Sequence, residues 1–148
     1  MLDSSGIGAA ILISGLVLES TGSARLLGHA LEGRTIVAQL EKWLKSKLMV
    51  PAGNSYVGIP HPEAPDEIKS LVKEWNTEAK AIHVVFFEAS LGFFLFFFGW
   101  WLIPIDFNGS VALIVAMVPG GIMSVYGAWI QTHNDKWLRS NGFVIIDK

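Results

Sequence analysis

Between Ala81 and Ile105 the chain strings together more than twenty apolar residues, interrupted only by His83, Glu88 and Ser90. As an α-helix rising about 1.5 Å per residue, such a run is long enough to cross the ~30 Å hydrocarbon layer of a bilayer. The rest of the composition agrees. Of 148 residues, 51% are hydrophobic and 16% charged, with a mean hydropathy of +0.45, against roughly 25% charged residues in an ordinary soluble domain. These values describe an all-α membrane protein. The net charge of −2 lacks the basic footprint of nucleic-acid binding. Cysteine is absent, which excludes disulfides, thiolate metal sites and thiol nucleophiles.

Two or three transmembrane helices are expected. After 81–105, the residues Pro104, Asp106, Asn108 and Gly109 read as a short polar turn, and 110–131 is a second apolar segment, uncharged through Ile130. Together these form a transmembrane helical hairpin over 81–131. The N-terminal segment, about 4–24, has an apolar core of only Ile7 to Leu18. A cleaved signal would need a positive leading region, and the first basic residue is Arg25. The segment is therefore a third span, or else a re-entrant or interfacial helix, with the span preferred. Eight Lys and Arg residues fall between the first and second apolar segments and the other three follow the last. Three crossings put all eleven on one side, the matrix or cytoplasmic side by the positive-inside rule, with the 104–109 turn opposite.

The inner-side region, 25–80, divides into three. Over about 24–50, apolar residues at 26/27, 30, 37, 40, 44 and 48 recur with helical spacing, which predicts an amphipathic helix resting on the membrane surface or on a partner subunit. Four prolines and two glycines within 51–65 make a linker. From about 66, proline followed by Asp66 and Glu67 is a helix start, and Ile68, Leu71, Val72, Trp75 and Ile82 continue one stripe into the second span. One long helix over about 66–103 is expected, followed after the third span by an inner-side tail, 132–148.

Small residues mark helix contacts, because helices in lipid associate by close backbone approach. Gly8, Gly15 and Gly22 recur every seven residues, sharing a face with Glu19. Glu88 stacks with Gly92 and Gly99, and Ala112, Ala116, Gly120, Ser124 and Ala128 form a four-residue ladder. An intramembrane carboxylate marks either a proton or ion path or a polar contact across a helix interface. Glu88 stands alone in its span, which favours the structural role. Glu19, nearer its boundary, is expected to pair with Arg25 or a headgroup.

His83 and His133 lie about 23 and 27 residues from the turn near 106, at similar depth on adjacent segments. Paired histidines hold haem or chlorophyll-type cofactors, and with Glu88 they are acceptable metal ligands; interfacial placement beside Trp75, Trp129 and Trp137 is the preferred account. His29 and His61, in the amphipathic helix and the linker, have no metal-ligand spacing to another histidine, and no metal site is expected. Nor is there a phosphate loop, a catalytic triad or a transporter-type repeat, so no catalytic residues are expected. The sequence points to a small accessory subunit of a multi-subunit complex in an energy-transducing membrane, a respiratory chain or membrane-bound oxidase, with other membrane subunits and lipids as partners. The alternative is a homo-oligomeric channel, transporter or proton-handling subunit using Glu88.

Overall fold

The computed structural model describes residues 4–47 and 66–141. The linker expected over 51–65, and the part of the expected tail beyond Asn141, lie outside the described residues. Three helices make up the fold: α1 (Ser4–Lys47), α2 (Asp66–Trp101) and α3 (Phe107–Ser140). Each is long and apolar enough to cross a membrane. At 1.5 Å per residue, α1 is ~66 Å long and the others just over ~50 Å, so every helix outruns the hydrocarbon.

The N-terminal segment and the amphipathic segment are one helix. No proline interrupts Ser4–Lys47, and the cost of Gly22, Gly28 and Gly33, up to ~1 kcal/mol each, is offset by packing. The apolar stripe expected to lie on a membrane surface or a partner is covered by this chain itself: Leu26, Ala30, Val37, Leu40 and Leu44 are buried. Ile36, Val37 and Leu40 meet Ile68, Leu71 and Trp75 of α2 and Leu138 of α3 in one cluster. α3 likewise runs on from the third span through Ser140, taking in the first part of the expected tail.

The helices follow a regular seam. The buried seam of α1 runs 8, 12, 15, 19, 22, 26 and then 30, 33, 37, 40, 44, with Ser23 and Ile36 buried beside it; on α2 the buried positions run 68, 71, 75, then 82, 85, 89, 92, 96, 99. Alternating steps of three and four keep one face toward a neighbour, as in a coiled coil. α1 is the central helix, and α2 and α3 each pack along it while their backbones barely approach one another. The hairpin partners of the sequence are thus not the principal packing partners.

α2 stops where Pro104 disfavours helix at the residue before it. Asp106, in extended backbone, then caps α3 by accepting a hydrogen bond from Gly109 N–H at 2.8 Å, the arrangement that satisfies a free first-turn donor. Asn108 and Gly109, expected in the turn, form the first turn of α3. The helix continues through Pro119.

The apolar half is inside-out relative to a soluble bundle. Val84, Phe87, Phe94, Trp101, Val125 and Trp129 are each at least 60% exposed, a surface that lipid covers. Glycines take the inside instead. A Cβ on Gly15 would strike the backbone of Phe96, on Gly22 that of Ala89, on Gly92 that of Glu19, and on Gly99 that of Leu12. These neighbours are main-chain atoms and cannot swing aside.

Gly22→Leu is expected to force α1 and α2 apart and destabilise the bundle by about 1–3 kcal/mol. Gly28→Ala should be neutral or stabilising by up to ~1 kcal/mol, since nothing lies within 4 Å of a Cβ at Gly28. Thermal unfolding in detergent reads both, and equal melting temperatures for the two variants would contradict the packing described.

Candidate functional site

The carboxylate at the centre of the bundle is Glu19, not Glu88. Position 19 lies on the α1 seam, one step past Gly15, and is fully buried. Two helices make room for it: Gly92 of α2 sits against its backbone and Gly120 of α3 against its carboxyl group, where a Cβ would overlap both oxygens. Burial of an unpartnered carboxyl group is costly, and serine hydroxyls surround this one. Ser23 donates to Oε1 at 3.0 Å and Ser20 to Oε2 at 3.4 Å. Ser23 is also 2.6 Å from the Ser124 hydroxyl. The network therefore links α1 to α3 through side chains as well as through the glycine contact.

Glu88 sits on the rim. The α2 seam passes through Val85, Ala89, Gly92, Phe96 and Gly99, so position 88 falls to one side of it, and the Glu88 side chain keeps 23% of its exposure. Its partner is Arg25, whose Nη1 donates to Oε2 at 2.6 Å. The expected pairing of Arg25 with Glu19 is thus exchanged for one with Glu88, because about one and two-thirds turns of α1 separate 19 from 25 and rotate the arginine off the Glu19 face toward Glu88 of α2. Where water reaches such a pair it contributes less than ~1 kcal/mol. In hydrocarbon, losing one partner strands the other charge.

A third polar link follows one turn along α1. His29 Nδ1 lies 2.6 Å from Glu78 Oε2 of α2. Farther on, Asn134 of α3 is fully buried and donates to the Ala30 carbonyl at 3.3 Å. A polar residue at a seam position favours one register over its neighbours.

The expected contact residues divide. Gly8, Gly15, Gly22, Gly92, Gly99 and Gly120 are buried at helix contacts, and Ser124 is hydrogen-bonded to α1. Ala128 is partly buried, whereas Ala112 and Ala116 are exposed. The ladder explains this itself. Steps of four residues advance about 40° more than one turn each, so 112 to 128 wraps around α3 and only its middle faces α1. The seam instead runs through the partly buried 113, then 117, 120, the partly buried 124, and 127, 130, 134, 138. His83 and His133 are both exposed, on helices whose backbones scarcely approach. The His133 ring stacks on Trp129 with centroids 5.8 Å apart.

Sequence reasoning missed Glu19 as the buried group and His29 as a cross-helix partner. The first was legible in part, since Gly15 and Gly22 flank Glu19 on one stripe. The second requires Glu78, forty-nine residues away. Comparison with protein families, curated proteins and solved structures gives no match.

Glu19→Gln, which keeps size and hydrogen-bonding capacity, is expected to preserve the fold. Glu19→Leu places a branched apolar group against Gly92 and Gly120 and deprives Ser23 of its acceptor, for a loss of about 1–3 kcal/mol. Melting temperatures of the two purified variants check this, and a leucine variant as stable as wild type would remove Glu19 from the packing account.

Proposed function

We propose that this protein is a small, non-catalytic accessory subunit that helps assemble a larger complex in an energy-transducing membrane. The observation that carries this reading is the uneven cover on the apolar half of α3. One face packs on α1, while Val111, Ile114, Val115, Val118 and Ile122 are exposed with Ala112 and Ala116 among them. Exposed small residues on a spanning helix suit the close approach of another helix. The host complex is proposed to be a respiratory-chain or membrane-bound oxidase assembly, in the mitochondrial inner membrane or a prokaryotic plasma membrane. The charged half of the bundle then lies on the matrix or cytoplasmic side by the positive-inside rule.

A second reading has a specific observation behind it. Glu19, Ser23 and Ser124 form a hydrogen-bonded chain across the apolar half, and intramembrane ionisable groups mark proton or ion pathways. If the subunit handles protons, Glu19 is a stronger candidate than Glu88, which already has Arg25.

Ala116→Leu separates these roles, because its side chain points away from the bundle. The variant is expected to fold with an unchanged melting temperature and to be lost from the complex that wild type enters after mild detergent extraction. Co-purification followed by subunit identification measures this, and full retention would count against a partner on α3. For the proton-handling reading, Glu19→Gln in an intact complex would abolish proton movement; as an accessory subunit it leaves turnover unchanged.

Orientation is tested by single cysteines at Asn108 and Lys136, against a chain that has none. Only Asn108→Cys should react with an impermeant reagent from outside.

A further inference from the structure

Where the apolar half of the bundle gives way to the charged half, three ligand-type side chains from two helices converge. His29 Nδ1 lies 2.6 Å from Glu78 Oε2 and 3.8 Å from Glu32 Oε2, and the three ligand atoms fall within 4.8 Å of one another. Ligands held ~2.0–2.2 Å from a tetrahedral zinc ion stand about 3.4 Å apart. The two separations from His29 bracket that distance, so modest side-chain rotation suffices to centre an ion.

The surroundings suit entry and retention. His29 and Glu78 keep 25% and 20% of their side-chain exposure, while Glu32 keeps 67%. Two ligands are therefore held by packing and the third closes from solvent. His29 and Glu32, three residues apart, share a face of α1. On α2 the buried seam is interrupted here, with no buried residue between Trp75 and Ile82, while α1 stays buried at Leu26 and Ala30 and its seam takes two successive four-residue steps through Gly22, Leu26 and Ala30. Between the Leu26–Ile82 and Gly33–Trp75 contacts, the His29–Glu78 pair links α1 to α2.

We propose that His29, Glu32 and Glu78 form a binding site for a divalent transition-metal ion that clamps α1 to α2. One imidazole and two carboxylates suit Zn²⁺, Mn²⁺ or Fe²⁺. Calcium calls for six or more oxygen ligands. Three protein ligands leave a position for water, and the ion offsets the two carboxylate charges beside the membrane boundary. This assignment is independent of the accessory-subunit reading.

The full chain in mild detergent, stripped with a chelator, is titrated with Zn²⁺ alone and, separately, Co²⁺ alone. One saturable site per chain is expected, with a rise in melting temperature and, for Co²⁺, visible bands of nitrogen and oxygen ligation. Glu32→Gln should weaken binding at least tenfold without altering the metal-free melting temperature, because its side chain is exposed. His29→Gln should abolish binding, whereas His83→Ala and His133→Ala should leave it unchanged. No saturable binding of either ion would overturn the proposal, as would binding indifferent to Glu32→Gln or lost with His83 or His133. The His29–Glu78 contact would then be a hydrogen bond only.

Discussion

Close contact between α1 and the backbones of its two neighbours is the constraint on which the rest of the structure depends. Lipid offers helices no hydrophobic gain for meeting, so contact must come from dispersion and polar links at short range. Gly15 and Gly22 bring α1 against α2 from one side, and Gly92 and Gly99 bring α2 against α1 from the other. On α3, Gly127 approaches the backbone of Leu27 and Gly120 lies against the carboxyl group of Glu19. With the interior filled by main chain, the aromatic side chains have no room inside. Phe96, buried beside Gly15, is the exception among the phenylalanines of α2.

This approach also explains why a carboxyl group is tolerated at the centre. Glu19 sits where two glycines from different helices leave a space of side-chain size, and its own helix supplies serine donors one residue and one turn away. A larger residue at 92 or 120 would remove the space and an apolar one at 23 the donor. Glu19 thus joins packing to polarity at one point.

Along α1 the means of attachment changes with the solvent. Glycine contact and the Glu19 network serve the apolar half, and the Arg25–Glu88 and His29–Glu78 pairs serve the transition. Beyond them Ile36, Val37 and Leu40 pack on Trp75 and Leu138 in a conventional apolar core, where water restores the hydrophobic effect. One continuous helix therefore presents two kinds of interface. The spacing of its seam carries over from one to the other with a single slip near residues 26 to 30.

Periodicity and composition determined by themselves that this is a helical membrane protein, where its apolar segments lie, and that α2 runs without a break from the charged region into the membrane. Those properties are local: they depend on lengths, on breakers such as Pro104, and on which residues share a helical face. The glycines of α1 and α2 were legible for the same reason. Tertiary structure alone decided which faces meet. It placed α1 in the centre, turned Ala112 and Ala116 outward, covered the amphipathic stripe with the chain's own helices, and gave Arg25 to Glu88 instead of Glu19. A helix exposes every side chain to some direction, and only the choice of neighbour determines whether a carboxylate such as Glu19 meets glycine and serine or a residue such as Glu88 meets a charge.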